Sequence, residues 1–323
     1  MDSTTAIATI DVGTNTTLLL VARPGATPGA EPEVLENAAE ITRLGRGIGG
    51  DGRLGAPGIA ATLEALGRYA GVIARHRAQV FAVGTEALRR APNAAEFLVP
   101  AEALLGRPIE VIDGTREADL TFRAVVESFP EELHHGRSVI VDIGGGSTEL
   151  VVVLGGVPVA RTSLPLGSVR LTERHVRHDP PTPEESSAIR AEIRDRLAGA
   201  HLLDELEDGA AGGPEAEPVR LFGVAGTVTS LCAMALGLST YDPARVHGSW
   251  LSRDALDGQI ARLAAADQLA REKMVGLDPR RADVIYAGAL LLDEIARAAG
   301  VATIRVSDRG IRWGLFFEHA PRP

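Results

Sequence analysis

Runs of aliphatic and β-branched residues alternate along the chain with segments whose apolar positions recur every three or four residues. That rhythm predicts strands interleaved with amphipathic helices. Residues 7–22 read as a hairpin, 24–33 as an exposed Gly/Pro-rich tip, and 34–44 as a third strand. Over 58–76, Ile59, Leu63, Leu66, Ala70 and Ile73 fall at helical spacing. Strands follow at 79–83 and 109–112, and helices at 93–105 and 115–129. A second hairpin spans 139–154, followed by a strand at 157–164 and a helix to residue 175 that Ser168 is placed to cap. Thr182, Pro183, Glu184 and Glu185 form a capping box for a helix running to about residue 203. The acidic stretch 205–218 reads as a surface loop. Beyond it come a strand at 219–225, helices at 252–264 and 268–275, a long apolar helix at 278–299, a strand at 301–306 and a last helix to residue 319.

The two hairpins share one grammar. Ile7-Ala8-Thr9-Ile10-Asp11-Val12-Gly13-Thr14-Asn15-Thr16-Thr17 and Val139-Ile140-Val141-Asp142-Ile143-Gly144-Gly145-Gly146-Ser147-Thr148-Glu149 each run from an apolar strand through an Asp and a Gly to paired hydroxyls. One glycine-rich hairpin is an ordinary turn. Its recurrence at domain-sized spacing predicts two similar domains, here 1–125 and 126–323, with the last helix, about 310–319, packing back on the first. Glycines let backbone N–H groups converge on a ligand that no Cβ obstructs. With hydroxyls beside them, that arrangement is a phosphate cradle. Two such cradles facing across a cleft would hold a phosphate chain from both sides.

Other anion-friendly places recur. Gly84-Thr85-Glu86-Ala87-Leu88-Arg89-Arg90 and Gly223-Val224-Ala225-Gly226-Thr227 are strand-to-helix junctions that leave N–H groups at a helix start. A plain N-cap by Thr227 is the simpler reading of the second. The glycine loop 45–50 would lie near the cleft or be a surface turn. Glu117, by spacing alone, is a first-turn acid of the kind the helix dipole favours. Arg174, His175, Arg177 and His178 read as a solvated helix end rather than a metal cluster, no acidic partner being spaced with them.

Composition narrows the classes. A chain of 323 residues can bury two cores. A net charge of −10 argues against nucleic acid as partner. No apolar run reaches the ~20 residues that span a bilayer, and no signal peptide is evident, so neither membrane nor export is expected. Cys232, the single cysteine, is expected to be a buried core thiol in a reducing cytoplasm. Lys273 is the only lysine among 33 basic residues, so an arginine counts as evidence only by its position.

The motifs Asp11-x-Gly13-Thr14-Asn15-Thr16, Gly114-Thr115-Arg116-Glu117-Ala118, Asp142 through Glu149, Gly223 through Thr227, Arg281-Ala282-Asp283 and Asp308-x-Gly310-Ile311-Arg312-x-Gly314 resemble, in order, those of the exopolyphosphatase / guanosine pentaphosphate phosphohydrolase (Ppx/GppA) family. The resemblance implies an α/β fold of two actin-like, ribonuclease-H-like domains with an interdomain cleft. It implies a phosphoanhydride hydrolase that releases orthophosphate from short to medium inorganic polyphosphate, or alternatively from guanosine pentaphosphate. It assigns Glu117 as general base, which reverses the reading from spacing. Thr14, Asn15, Thr16, Arg89, Gly144, Gly145, Gly146, Ser147, Thr148, Gly226 and Thr227 are implied to bind phosphate. Asp142, Glu149 and Asp11 are implied to surround Mg²⁺ or Mn²⁺.

Two departures stand out. The first Glu of the family's Gly-x-Glu-Glu-Ala segment is Arg116 here, whose charge is expected to favour the carboxylate form of Glu117. The C-terminal HD-type region of long members has no counterpart, which places the chain with the short, two-domain type. A homodimer is an expected state of such a fold. A non-catalytic alarmone or polyphosphate sensor and an ATP-dependent kinase or chaperone ATPase of the same superfold are the competing readings, separable by whether phosphate is released and from what.

Overall fold

The computed structural model describes residues 5–27, 29–48, 51–204 and 218–321. The chain packs as two compact units, residues 1–124 with 311–323, and residues 125–310. Residues 49–50 of the glycine loop and 205–217 of the acidic loop lie outside the described residues.

The first unit holds β1 (Ile7–Val12), β2 (Thr16–Arg23), β3 (Glu33–Ile41), β4 (Gln79–Gly84) and β5 (Glu110–Val111). They form one sheet in the order β3-β2-β1-β4-β5. The first three pair antiparallel, while β1 with β4 and β4 with β5 run parallel. Every residue of β1 is buried, because helices cover both faces. Ala8, Ile10 and Val12 pack with Leu66, Tyr69 and Ile73 of the Ala56–His76 helix. Ile7 meets Trp313 and Phe316 of the Ile311–His319 helix on the other face, and Thr9 Oγ1 donates to Arg312 O at 2.8 Å. Strand alternation therefore puts Asp11 on the face of Ile7 and Thr9.

The second unit repeats the plan. Its strands are β6 (Arg137–Ile143), β7 (Thr148–Leu154), β8 (Val157–Leu164), β9 (Arg220–Val224), β10 (Trp250–Ser252) and β11 (Thr303–Val306). The sheet order is β10-β11-β9-β6-β7-β8. Strands β6 to β8 pair antiparallel as β1 to β3 do, and β6-β9-β11 run parallel as β1-β4-β5 do. Register repeats too: Asp11 lies opposite Val83 of β4, and Asp142 opposite Val224 of β9. The shared grammar of the two hairpins thus corresponds to two copies of one sheet topology. The core of this unit joins Val139, Val141 and Ile143 to Leu291, Leu292 and Ile295 of the Ile285–Ala298 helix.

Several expected elements change at their ends. The helix expected to reach residue 203 spans Pro183–Ala200 and stops where His201 turns left-handed at φ 51°. The one expected over 268–275 is only Gln268–Arg271, since the buried Arg271 turns back and its Nε donates to Leu263 O at 2.9 Å. Ser168 is not a cap. It is the first residue of the Ser168–His175 helix, Gly167 holds the cap position, and Ser168 Oγ reaches Gly144 O at 3.4 Å. The Arg/His group finds the acids that local spacing lacked on the next helix. Arg174 and His175 pair with Glu192, and His178 Nδ1 lies 2.8 Å from Glu185 Oε1. Cys232 is buried, and burial pushes its thiol up to about 11.

Gly314 has no room for a side chain. A Cβ there would lie 1.9 Å from the Leu120 carbonyl oxygen, where the Ile311–His319 helix meets the Gly114–Ser128 helix. Gly314→Ala should therefore cost at least about 2 kcal/mol by forcing two backbones apart, read as a lowered midpoint in urea unfolding. A midpoint equal to wild type would show that the contact yields freely.

Glu185 completes the capping box: Glu185 N donates to Thr182 Oγ1 at 3.2 Å, and Thr182 N to Glu185 Oε2 at 3.0 Å. Burial would raise its carboxyl, but hydrogen bonds from His178 and from the Thr182 and Arg177 amides prevail and lower it to about 2. A depressed folded pKa contributes stability that is complete above the ordinary carboxylate value, about 4.3, and is lost as pH falls toward about 2. Glu185→Gln should accordingly lose less stability than wild type between about pH 5 and 3 in thermal unfolding. Equal acid slopes for the two proteins would contradict this.

Candidate functional site

A trans peptide points its C=O and N–H in opposite directions, so the partners of a turn's carbonyls reveal where its amides aim. In the second unit, Gly144 O accepts from Ser168 N at 3.0 Å. Gly145 O accepts from Val169 N at 3.0 Å and Arg170 N at 3.1 Å. Gly146 O accepts from Arg170 Nε at 2.7 Å. Three successive carbonyls are thus turned onto the start of the Ser168–His175 helix, and the amides of Gly145, Gly146 and Ser147 face the other way. Gly167 makes this possible by proximity: a Cβ there would lie 2.4 Å from Gly145 O. Thr148 Oγ1 donates to Leu166 O at 2.8 Å, fixing the strand beyond the turn.

The first unit reaches the same arrangement with a different backing. Thr14 O accepts from Gly45 N at 2.8 Å, and Asn15 O from Thr42 N at 3.1 Å and Arg43 N at 3.0 Å. The amides of Asn15 and Thr16 consequently face away from the 42–45 loop. Arg43 adopts φ 55° to make this closure, a left-handed conformation that costs a non-glycine residue roughly 1–2 kcal/mol. Thr17 and Thr42 hydroxyls lie 3.0 Å apart.

The carboxylates fall into two groups. Asp142 stands directly opposite Glu149 across β6 and β7, and both are buried. Ser163 Oγ donates to Glu149 Oε1 at 2.7 Å. Asp11, in the first unit, stands opposite Leu18 instead, so its hairpin offers a single acid. Paired carboxylate oxygens suit Mg²⁺ or Mn²⁺, which commonly take one or two protein carboxylates and keep several waters. Among the described residues no three His, Cys, Asp or Glu side chains gather into an all-protein cage. Two opposed carboxylates such as Asp142 and Glu149 are the kind of donor that a hydrated hard cation takes.

Glu117 sits in the first turn of the Gly114–Ser128 helix and is 3% exposed. Arg89 Nη1 donates to its Oε1 at 2.6 Å and to Ile112 O at 2.6 Å. Arg89 comes from the short Glu86–Arg90 helix that follows β4. It lies in that helix's last turn rather than at its start. Arg116, whose charge was expected to favour the carboxylate form of Glu117, directs its guanidinium to another acid. Arg116 makes a bidentate pair with Glu318 of the Ile311–His319 helix, because successive helical residues point about 100° apart. The Arg116 hydrogen bond lowers the Glu318 carboxyl below its ordinary range. Arg89 is a cation in direct contact with Glu117.

At the junction 223–227, Val224 occupies the cap position without a side-chain hydrogen bond, and Ala225 takes φ 68°. Thr227 is therefore not the cap. It lies buried inside the Ala225–Ala235 helix, close enough to Gly288 that a Cβ there would meet its Cγ2 at 2.6 Å. Gly226 lies under the Arg281 guanidinium, whose Nη2 is 2.3 Å from where a Cβ would be. Sequence reasoning named Arg281 only as part of a motif, and it gave no role to Arg170. The spacing of a single arginine carries no sign of which carbonyl it will hold.

Among the described residues no helix is long and apolar enough to cross a membrane. The model of the Ppx/GppA phosphatase family matches residues 21–323. The chain is 37% identical to Exopolyphosphatase 2 of Mycobacterium tuberculosis, over 96% of this chain and 97% of that protein. It is 28% identical to Exopolyphosphatase 1 of Mycobacterium leprae, over 96% of this chain and 88% of that one. Its fold matches the Aquifex aeolicus PPX-GPPA enzyme with a TM-score of 0.78 at 30% identity, covering 98% of this chain and 99% of that one. It also matches an exopolyphosphatase from Cytophaga hutchinsonii with a TM-score of 0.85 at 25% identity, covering 97% and 96%. A family model over residues 21–323 and a relative 37% identical along nearly its whole length agree with that actin-like fold: the chain belongs to the Ppx/GppA phosphatase family.

Proposed function

We propose that this chain is an exopolyphosphatase, which hydrolyses the terminal phosphoanhydride of inorganic polyphosphate and releases orthophosphate. The observation that carries the reading is the row of Gly145, Gly146 and Ser147 amides turned to one side by carbonyls pinned on the other. Preorganised N–H groups stabilise charge on a transferred phosphoryl without having to reorient during the reaction. The turn at Thr14, Asn15 and Thr16 offers a second, smaller grip on the same kind of ligand.

Glu117 is the general base in this reading. A buried carboxylate, held by the Arg89 guanidinium through its Oε1, is oriented to draw the proton from a water as that water attacks phosphorus. Arg89 acts on Glu117 by position and charge and keeps it from being an uncompensated buried acid. Asp142 and Glu149 would hold Mg²⁺, which when bound offsets phosphate charge. The phosphate-binding roles of Gly144, Thr148, Gly226 and Thr227, and the part of Asp11 beside the metal, are expectations of the same reading.

The test is orthophosphate release from polyphosphates of defined length and from guanosine pentaphosphate, with Mg²⁺ and with a chelator. Faster turnover of polyphosphate, lost on chelation, is expected. Glu117→Gln should lower kcat by about 10²–10⁴ with an unchanged unfolding midpoint. Preferential turnover of guanosine pentaphosphate, or a Glu117→Gln enzyme at wild-type rate, would overturn the assignment.

The pairing of Arg89 with Glu117 predicts a non-additive mutant cycle. Arg89→Met alone should reduce kcat by about tenfold or more, yet in the Glu117→Gln background it should cost at most about twofold further. Full additivity would mean that Arg89 acts on the substrate independently of Glu117.

A further inference from the structure

The first turn of a helix leaves its N–H groups without intrahelical acceptors. In the Ser168–His175 helix these groups go to the glycine turn: Ser168 N to Gly144 O, and Val169 N and Arg170 N to Gly145 O. Any sequence that starts a helix here would supply those bonds, because they come from the backbone. The third carbonyl differs. Gly146 O is held by a side chain, through the 2.7 Å bond from Arg170 Nε. That carbonyl belongs to the same peptide plane as the Ser147 amide. A charged donor makes such a bond roughly twice as strong as a neutral one. The neighbouring glycines offer little steric resistance to rotation of that plane, so the restraint has to come from outside the turn. In the first unit the Thr14 and Asn15 carbonyls are both held by backbone N–H groups of the 42–45 loop.

We propose that Arg170 is a positioning residue for the reaction: through its Nε bond to Gly146 it holds the Gly146–Ser147 peptide so that the Ser147 amide faces the transferred phosphoryl. This rests on the reading of the glycine turn as the phosphate grip. In this role Arg170 acts on the substrate through that peptide. Its contribution is realised as charge develops on the phosphoryl, so it appears in kcat rather than in KM.

Two variants separate the bond from the charge. In Arg170→Gln the side-chain Nε2 stands at the same place along the chain as the arginine Nε, so the donor is kept and the charge is lost. In Arg170→Met the length is kept and both donor and charge are lost. With polyphosphate as substrate, Arg170→Met should lower kcat by about 30-fold, a fraction of what losing a whole oxyanion donor costs, with KM changed less than about threefold. Arg170→Gln should stay within about threefold of wild type in both. Hydrogen exchange of the Ser147 amide should be faster in the Met variant and unchanged in the Gln variant. Equal losses in the two variants would show that the charge matters and not the bond, and overturn the proposal. Wild-type kcat in both, or a rise in KM alone, would overturn it as well. If Arg170→Met does not fold, a folded Arg170→Gln that has lost activity overturns it and one that keeps activity supports it. A wild-type protein that releases no phosphate removes the underlying reading instead. The positioning claim is then decided by the Ser147 exchange pattern, equal rates in all three proteins overturning it.

Discussion

Every peptide plane carries an acceptor on one edge and a donor on the other, and rotating one rotates both. The candidate site depends on that constraint. A surface lined with amides is hard to make, because a flexible glycine turn exposes carbonyls as readily as N–H groups, and a carbonyl repels phosphate. The fold resolves this from behind. In the second unit a helix start takes the carbonyls of Gly144 and Gly145, and Arg170 takes that of Gly146. In the first unit the 42–45 loop does the same for Thr14 and Asn15. The proposed grip on anions is thus built by groups lying behind the turn, on the side opposite its amides.

The acid proposed to prepare water poses the opposite problem. A carboxylate as buried as Glu117 would be costly without a partner. Arg89 answers the charge at 2.6 Å. The helix that carries Glu117 is located by backbone contact at Gly314 and by the Arg116 and Glu318 pair. Trp313 and Phe316 anchor that last helix to Ile7 and Leu20. Glu117 is therefore placed by packing more than 190 positions away in sequence, which local spacing does not record.

That contrast explains what could be read from the chain directly. The recurrence of Asp, Gly and paired hydroxyls at 11–17 and 142–148 was legible because strand, turn and strand are contiguous. It foretold two sheets of one topology, and the sheets agree even in the register of Asp11 and Asp142. Helix caps such as Thr182 with Glu185 were legible for the same reason. The partners of charged side chains were not. Arg116 looked like the neighbour of Glu117 because it is adjacent in sequence, yet it turns to Glu318 while Arg89 arrives from another element. Ser168 and Thr227 looked like caps because they begin helices, but the strands before them deliver extended backbone to the cap position instead. Arg170 was invisible as one more arginine in a chain with a single lysine.

The last helix belongs to the first unit, although 186 residues of the other unit precede it. During synthesis the ribosome delivers the first sheet early, with the face of Ile7, Thr9 and Asp11 bare of the Trp313 and Phe316 that later cover it. Residues 125–310 can condense as soon as they emerge, whereas the earlier-made portion stays incomplete until the helix that begins at Ile311 has been made. The order in which the parts mature is therefore the reverse of the order in which they are made, and a nascent chain stalled before residue 311 would carry an unsealed apolar face for chaperones to recognise.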